Sequence, residues 1–335
     1  MRLENLLALT QGSLKSTPAI TATDGICFDA KKVKRGNLFI ALDPKDINEA
    51  VLNGAYAVVF DKPTQILDSE IAWIKVDDAE LALKRVLRFH LIEKDLRVYE
   101  CDPITLKLAL QVMTPNTFVV VHGSLYNVAH QLFDIDSKST VLFAPTLIGN
   151  EIFTSAQSIP TTGYESINII EQTLFETSFI YANKFYERQL LSPFFIPYLE
   201  RLLHLFKIIK LEYRLKQFTP IAHFEAVFTN ARFDVQDFGA SDRVLIFEPD
   251  FELITQQIDF LKRQASWAKI IYVVPWQKKQ LLNNAENIFT YAHPQDIIEL
   301  LKNSDFHFAL IAEQDKSLLE LLSVSQSHQQ LTLDF

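Results

Sequence analysis

The run His122-Gly123-Ser124-Leu125-Tyr126 places a serine near a histidine. Such a serine could act as a nucleophile, because a neighbouring base can take the proton of its hydroxyl. The run lacks the G-x-S-x-G spacing of the sharp turn that usually holds a nucleophilic serine. A strand that ends at His122, followed by a helix with Ser124 as its N-cap, explains the same residues. We therefore predict a capped turn here.

Two further groupings could carry chemistry. His122 and His130 are a close pair among the eight histidines, but no cysteine or carboxylate stands at ligand spacing beside them, so the pattern favours no metal site. Asp77 and Asp78 form a carboxylate pair at a predicted helix start, where capping and the helix dipole account for both. Neither grouping predicts a catalytic residue.

Composition limits the classes of protein. The chain has 335 residues, of which 48% are hydrophobic and 22% charged, so it can form two or three cores. Its net charge of −9 should repel nucleic acid. Four charged side chains interrupt the most apolar stretch, residues 194–211, which predicts no membrane span. With only two cysteines, and Glu4 interrupting any apolar signal core, we expect a cytoplasmic protein.

Glycine is scarce in this chain. It occurs 8 times, far below the average usage of about 7%. Phosphate-binding loops use glycine where the backbone must approach a phosphate. Any phosphate chemistry would therefore depend on very few loops.

Alternating strand and helix patterns divide the chain into three segments that would position these residues. In residues 1–92 we predict strands at 37–42, 56–60 and 71–76 and a short helix at 46–53 that Gly54 ends. A second helix should open at Asp77, with Glu80 as its capping partner. The apolar positions expected on its buried face are Leu81, Leu83, Val86, Leu87 and Leu91.

The other two segments continue the alternation. In residues 93–240 we predict strands at 96–100, 117–122 and 140–144, helices at 103–113 and 194–215, a hairpin of 174–182 with 184–190, and an extended stretch at 222–229. In residues 241–324 we predict strands at 243–247, 269–274, 288–292 and 306–312 and helices at 251–265, 277–283, 294–303 and 315–324. Such alternation indicates an α/β protein with mostly parallel sheets. Residues 325–335 should form a flexible tail.

The run from Phe28 to Leu42 resembles the first domain of the Mur ligase family, which carries a D-S-R-x-V-x-x-G-x-L-F-x-A-L stretch. The matching residues are Asp29, Val33, Gly36, Leu38, Phe39, Ala41 and Leu42. Ala30 and Lys31 replace the family's serine and arginine, and its D-G-H loop is shortened to residues 43–46. The run at residues 49–59 is similar to the family's A-x-x-x-G-A-x-A-V-V stretch.

This resemblance is closest to the D-alanyl-D-alanine-adding branch and implies three domains. They would be a Mur-ligase-like N-terminal domain (1–92), a shortened and degenerate central P-loop-type ATPase domain (93–240) and a Rossmann-like C-terminal domain (241–324). The resemblance also implies that Asp29 and Lys31 are remnants of a site for the UDP-linked muramyl peptide.

The family's phosphate loop, G-x-x-G-K-T/S-T, is degenerate here. An ungapped placement puts Glu100 and Pro103 on the two glycines and Ile104 on the lysine. Only Thr105 keeps its type, on the hydroxyl that would hold Mg²⁺. Proline removes an amide donor, and Glu100 would repel phosphates. The sequence therefore predicts that this loop is no Walker A cradle and leaves Thr105 as a nucleotide-binding remnant.

Three later family motifs are also reduced. Glu151, in a remnant of a G-x-x-x-G-E-I run, either marks the family's magnesium-binding glutamate or is a surface acid opening a new element. The family's D-x-Y-N-A-N-P and K-G-S-R stretches shrink to residues 228–231 and 312–315.

These substitutions predict a non-catalytic binding or scaffolding protein, a pseudoenzyme that needs no cofactor and is linked to peptidoglycan precursor synthesis. It would bind a protein partner or a UDP-linked muramyl peptide. The alternative is an active ATP- and magnesium-dependent amide ligase of the UDP-N-acetylmuramoyl-tripeptide--D-alanyl-D-alanine type, with an altered phosphate loop.

Two other features could bind proteins. The aromatic residues Phe175, Phe179, Phe185, Tyr186, Phe194 and Phe195 are either interface anchors or the core of a shortened domain. The tail Gln330-Leu331-Thr332-Leu333-Asp334-Phe335 resembles peptides that bind the bacterial DNA sliding clamp, although a frayed terminus is the favoured explanation.

Overall fold

The computed structural model describes residues 1–145, 151–153, 155–161, 166–282 and 286–320. The chain forms two compact units. The first comprises Met1–Leu106 and Thr114–Ile159, and the second comprises Lys107–Met113 and the chain from Pro160 onward. The domain boundaries expected near residues 92 and 240 remain predictions, and the tail at 325–335 lies outside the described residues.

The first sheet of unit one has five strands in the order β1-β5-β4-β3-β2, with β1 antiparallel and the others parallel. They are β1 (Ser13–Leu14), β2 (Gly25–Cys27), β3 (Asn37–Ile40), β4 (Ala57–Phe60) and β5 (Ala72–Lys75). The helices of this part are α1 (Leu3–Thr10), α2 (Ile47–Leu52) and α3 (Ala79–Ile92). Strands β3 and β4 are almost entirely buried, so they form the centre of the core.

Helix α3 begins one residue later than predicted. Asp78, in extended conformation, accepts the Leu81 N–H at 3.0 Å and is the N-cap, so the prediction of Asp77 is wrong. Leu81 is 37% exposed, against the prediction that it is buried. The buried positions recur at spacings of three and four residues from Ala79, and Leu81 lies outside that stripe.

The second sheet of unit one is fully parallel, in the order β10-β6-β9-β8. Its strands are β6 (Arg97–Glu100), β8 (Phe118–Val121), β9 (Thr140–Phe143) and β10 (Gln157–Ser158). Helix α4 (Pro103–Ala109) follows β6, and α5 (Leu125–Phe133) follows β8. The predicted helix at 103–113 is too long. Its last two residues, Val112 and Met113, form strand β7, which pairs with β14 (Arg214–Leu215).

Unit two contains a three-stranded antiparallel sheet of β11 (Asn168–Gln172), β12 (Thr177–Tyr181) and β13 (Lys184–Gln189). The hairpin predicted around Asn183 is confirmed, with Ala182 and Asn183 both at positive φ in its turn. Helix α6 spans Ile196–Ile208. The helix predicted to reach residue 215 ends earlier, because Arg214 and Leu215 form β14.

The remaining sheet of unit two has the order β15-β16-β19-β17-β18. Its strands are β15 (Glu225–Thr229), β16 (Arg243–Glu248), β17 (Ile270–Pro275), β18 (Ile288–Tyr291) and β19 (Phe308–Ala312), with α7 (Ile254–Gln264) and α8 (Pro294–Asn303) between them. All are parallel except β15, which confirms the mostly parallel arrangement. A 3₁₀ helix, Trp276–Leu282, occupies the place of the predicted helix at 277–283.

Half of the aromatic cluster of unit two lies in the core. Phe179, Phe194 and Phe195 are buried, whereas Phe185 is 52% exposed. Among the described residues, no helix has both the length and the apolar content needed to cross a membrane.

Candidate functional site

The carboxyl edge of the parallel β10-β6-β9-β8 sheet is where an α/β protein of this type usually binds its ligand. Asp102 ends the turn from β6 into α4, and Pro103, Ile104 and Thr105 form the first turn of that helix. Asp102 caps the helix, since its Oδ1 accepts the Thr105 N–H at 2.8 Å. Its Oδ2 accepts the Thr105 hydroxyl at 2.7 Å. Both carboxylate oxygens therefore bind the same residue one turn ahead.

The residues at the family's lysine and hydroxyl positions are both inside the protein. Ile104 is 1% exposed and Thr105 is fully buried. The Thr105 hydroxyl has its hydrogen directed to Asp102 and no solvent-facing surface. The structure thus packs Ile104 as a core residue and uses Thr105 to fix the first turn of α4.

The next turn along this edge joins β8 to α5. Ser124 accepts the Asn127 N–H at 3.4 Å and is the N-cap of α5, as predicted. Gly123 has φ +92, a conformation that other residues rarely adopt. His122 is exposed, and its Nδ1 lies 2.9 Å from the carbonyl oxygen of Val120.

Glu151 lies in a helical segment within the same unit. Its carboxylate forms an ion pair with the ammonium group of Lys84 on α3. The Glu151 side chain is 45% exposed and that of Lys84 only 15% exposed. This partner explains the carboxylate as part of a surface ion pair, while Gly149 of the matching motif lies outside the described residues.

Asp29 and Lys31 lie at the end of β2, where Asp29 opens a 3₁₀ helix, Ala30–Lys32. Asp29 Oδ1 accepts the Lys31 backbone N–H at 3.1 Å. Its Oδ2 accepts the hydroxyl of Tyr126 at 3.1 Å and lies 3.7 Å from the Lys32 ammonium. The Lys31 side chain is exposed, so the structure joins the two residues through the backbone and leaves the cation in solvent.

Two residues beside Asp29 were missed from the sequence. Tyr126 and His130 are four residues apart on α5, and their rings lie 4.6 Å apart between centroids. Both pack on Phe28, at 5.5 and 4.5 Å. The i, i+4 spacing places them on one helix face, but no local signal indicates that this face meets Asp29.

Desolvation is the main cause of the pKa shifts of Tyr126 and His130. Desolvation, followed by the hydrogen bond to Asp29, raises the pKa of Tyr126. Desolvation, with Lys32 nearby, lowers the pKa of His130. His130 Nε2 is buried without a hydrogen-bond partner. Both pKa shifts favour the uncharged form of the side chain beside the Asp29 carboxylate.

His122 and His130, which stand close together in the sequence, have different surroundings. His122 contacts the backbone of β8, whereas His130 packs among aromatic rings. Within the described ranges, no group of three histidine, cysteine, aspartate or glutamate side chains could hold a metal ion.

The reduced motif at 228–231 ends β15 in a turn in which Asn230 Oδ1 accepts the N–H groups of Arg232 and Asp234.

No family model matches the sequence. The protein described as UDP-N-acetylmuramoyl-L-alanyl-D-glutamate--2,6-diaminopimelate ligase of Geobacter metallireducens is 35% identical over 91 residues. That match covers 25% of this chain and 18% of the relative, so the chain spans less than a fifth of the length of the relative it matches.

Solved structures match over nearly the whole chain. MurF from Acinetobacter baumannii has a TM-score of 0.54 at 11% identity and covers 97% of this chain and 98% of its own. MurF ligase from Thermotoga maritima, in complex with ADP, has a TM-score of 0.50 at 13% identity and covers 90% and 96%. The chain therefore has the multidomain α/β fold of the MurF ligases, which confirms at the level of the fold the resemblance to Mur ligases.

Proposed function

We propose that this chain, with its MurF fold, is a non-catalytic cytoplasmic protein that binds or scaffolds components of peptidoglycan precursor synthesis. The fold supports a relation to that pathway, since the similar structures are MurF ligases and one relative is a Mur ligase. The turn into α4 supports the loss of ATP chemistry. This turn is the single observation that carries the proposal.

A phosphate bound at a helix N-terminus needs free amide donors and a positive field. In this turn Pro103 has no amide hydrogen, and the Thr105 N–H is already used by Asp102. The Asp102 carboxylate thus takes the place that an anion would need, and it adds a negative charge there. These residues do not fit a magnesium nucleotide.

The residues at the positions that would hold Mg²⁺ also support the loss of ATP chemistry. The Thr105 hydroxyl is buried and donates to Asp102, and the Glu151 carboxylate pairs with Lys84. Phosphoryl transfer depends on positioned charge around the phosphates, and losing one preorganised donor costs about 10²–10³-fold in rate. With several donors altered together, ligase turnover should be absent.

Ligand recognition is the part of the proposal that the N-terminal site supports. The exposed Lys31 side chain and the partly exposed Asp29 carboxylate, 19% accessible, offer opposite charges on one surface. A UDP-linked muramyl peptide carries phosphates and polar sugar groups that could pair with them. We propose this precursor as the ligand, with an unidentified protein as the other partner to be scaffolded.

Thermal unfolding with and without Mg-ATP tests the proposal. A ligand that binds only the native state raises the melting temperature by mass action, so we expect no shift with Mg-ATP. A parallel incubation with a muramyl tripeptide precursor and D-alanyl-D-alanine should release no phosphate above a buffer blank.

Matched variants decide what a positive result would mean. Thr105→Ala removes the hydroxyl that donates to the cap of α4, and Ser124→Ala removes the capping hydroxyl of α5 at the same edge of the sheet, but only Thr105 stands on the family's phosphate loop. A shift with Mg-ATP, or turnover, that Thr105→Ala abolishes and Ser124→Ala retains would overturn the non-catalytic assignment in favour of an active amide ligase.

A further inference from the structure

A pocket of about 480 Å³ lies at the amino-terminal edge of the β15-β16-β19-β17-β18 sheet, entirely within unit two. Val244 and Phe308, near the starts of the parallel strands β16 and β19, form its floor, and the turn between β11 and β12 forms a wall. Ligands of open α/β sheets usually bind at the opposite, carboxyl edge. Its lining includes Phe228 of the reduced motif at 228–231 but none of the unit-one residues described above.

Six of the residues that line the pocket form a continuous band of rings. Its members are Phe238, Phe228, Phe175, Phe308, Trp267 and His307. Successive centroids in that order lie 4.8, 5.6, 6.3, 6.1 and 5.7 Å apart. Phe308 is buried, whereas Trp267 is 73% and Phe238 44% exposed, so large ring surfaces face the solvent-accessible space.

The formal charge of the pocket lining comes from a carboxylate. Among the described residues that line it, Asp242 is the one acidic residue, no lysine or arginine is present, and His307 is the one histidine. The C-terminal end of α7 also contributes, since Gln264 and Ala265 line the pocket and the carbonyl end of a helix carries partial negative charge. Lys262 and Arg263 share that last turn but do not line the pocket.

We propose that this pocket binds an organic cation, a protonated amine carried on an apolar or aromatic body. Aromatic faces attract cations because the ring face carries partial negative charge. The Asp242 carboxylate adds a full negative charge, which also attracts a cation. The volume lies within the range of small-molecule sites, about 300–1,000 Å³. Nucleotides and other anions are disfavoured by the same field. This inference does not rest on the proposed function.

Fluorescence of Trp267 reports binding directly. The chain has three tryptophans, of which Trp73 is fully buried and Trp276 is 59% exposed. In a Trp276→Phe background the solvent-sensitive signal comes from Trp267. Titration with phenethylamine, 2-phenylethanol and 3-phenylpropionate compares a cation, a neutral molecule and an anion on a similar body. We expect the amine to bind at least about threefold more tightly than the alcohol, and the carboxylate most weakly.

Asp242→Asn tests the role of charge, because an asparagine oxygen can still accept the Ala231 N–H that Asp242 binds at 3.1 Å. Asp237→Asn is the matched control, an exposed aspartate of the same loop outside the lining. We expect Asp242→Asn to weaken the amine about threefold without changing the alcohol, and Asp237→Asn to change neither.

A capped lysine, N-acetyl-lysine amide, distinguishes the source of the cation. Binding of phenethylamine alone would assign a free aromatic amine, and binding of both would add basic peptide side chains. Three results would each overturn the proposal. They are equal affinity for the amine and the alcohol, equal effects of the two aspartate variants, and no spectral change with any probe at about 10 mM, a concentration on the order of the dissociation constants of weak ligands.

Discussion

The Thr105 hydroxyl donates a hydrogen bond to the Asp102 carboxylate, with 2.7 Å between the oxygens, inside the turn that begins α4. The Thr105 amide donates to the other carboxylate oxygen of the same residue. An anion is thereby supplied by the chain itself at the start of this helix. The Thr105 amide and hydroxyl are therefore both paired within the chain, as at a structural N-cap.

Replacing Asp102 should destabilise unit one. In Asp102→Ala the buried Thr105 hydroxyl and amide both lose their acceptor, and an unsatisfied buried polar group costs about 1–3 kcal/mol. The double variant Asp102→Ala/Thr105→Val should recover part of that loss, because it removes the unpaired hydroxyl as well. Urea unfolding of the two variants measures the difference. Equal stability of the single and double variants would contradict the assignment of this hydrogen bond as buried and paired.

The cap of α3 provides a test with a built-in control. Asp78 accepts the Leu81 N–H, whereas the neighbouring Asp77 precedes the cap position. We expect Asp78→Ala to lower the free energy of unfolding by about 1 kcal/mol and Asp77→Ala to change it by a few tenths, as for surface residues. Chemical denaturation of the two variants side by side checks this. The reverse order would return the cap to Asp77.

The strands of the C-terminal sheet could be predicted from the sequence because they are short apolar runs separated by helical patterns. The predicted bounds of helix α8 match the observed Pro294–Asn303, and the structure shows local signals at its start: Pro294 stands in the first turn, and Asp296 accepts the His293 N–H at 2.8 Å. These signals are local. Sequence patterns suffice to place an element where its bounds depend on residues only a few positions apart.

Long-range pairing accounts for what could not be predicted. Helix α4 ends early because Val112 and Met113 pair with a strand about a hundred residues later, which no local propensity reveals. The same holds at the N-terminal site, where Tyr126 bonds Asp29 from 97 positions away. Sequence reasoning identified Asp29 through a family motif, but its partners come from another part of the chain.

A buried carboxyl group in unit two predicts a large effect on stability. Glu248 is fully buried, and its carboxylate lies 2.7 Å from His223 Nδ1 and accepts the Phe224 N–H at 3.0 Å. The side-chain amide of Gln257 donates to it as well. Glu248→Ala should therefore cost about 3–5 kcal/mol, since it leaves several buried donors without an acceptor.

An exposed ion pair is the control for that variant. Glu313 binds Lys278 at the same edge of the sheet, with about a third of each side chain exposed. Glu313→Ala should change the free energy of unfolding by no more than about 1 kcal/mol. Urea unfolding followed by tryptophan fluorescence compares the two. Similar losses in both variants would mean that Glu248 contributes as little as a surface pair.

Alkaline titration should weaken the fold through Tyr272 on β17. Its side chain is 3% exposed, and desolvation together with the negative charge of Asp259 raises its pKa to about 12, from an ordinary value of about 10. The folded state therefore holds this proton more tightly than the unfolded state. Its contribution to stability is complete below pH 10 and is lost as the pH rises towards 12.

Tyr272→Phe removes the titrating hydroxyl while keeping the ring. We expect the free energy of unfolding of the wild type to fall between pH 8 and pH 11, and that of the variant to fall less, because part of the loss belongs to this group. The decline should not vanish, since burial also raises the pKa of Tyr213. Urea unfolding of both proteins at the two pH values measures the difference, with pH 8 as the internal reference. Parallel declines would show that Tyr272 ionises as readily in the folded state as in the unfolded state, against the burial of its side chain.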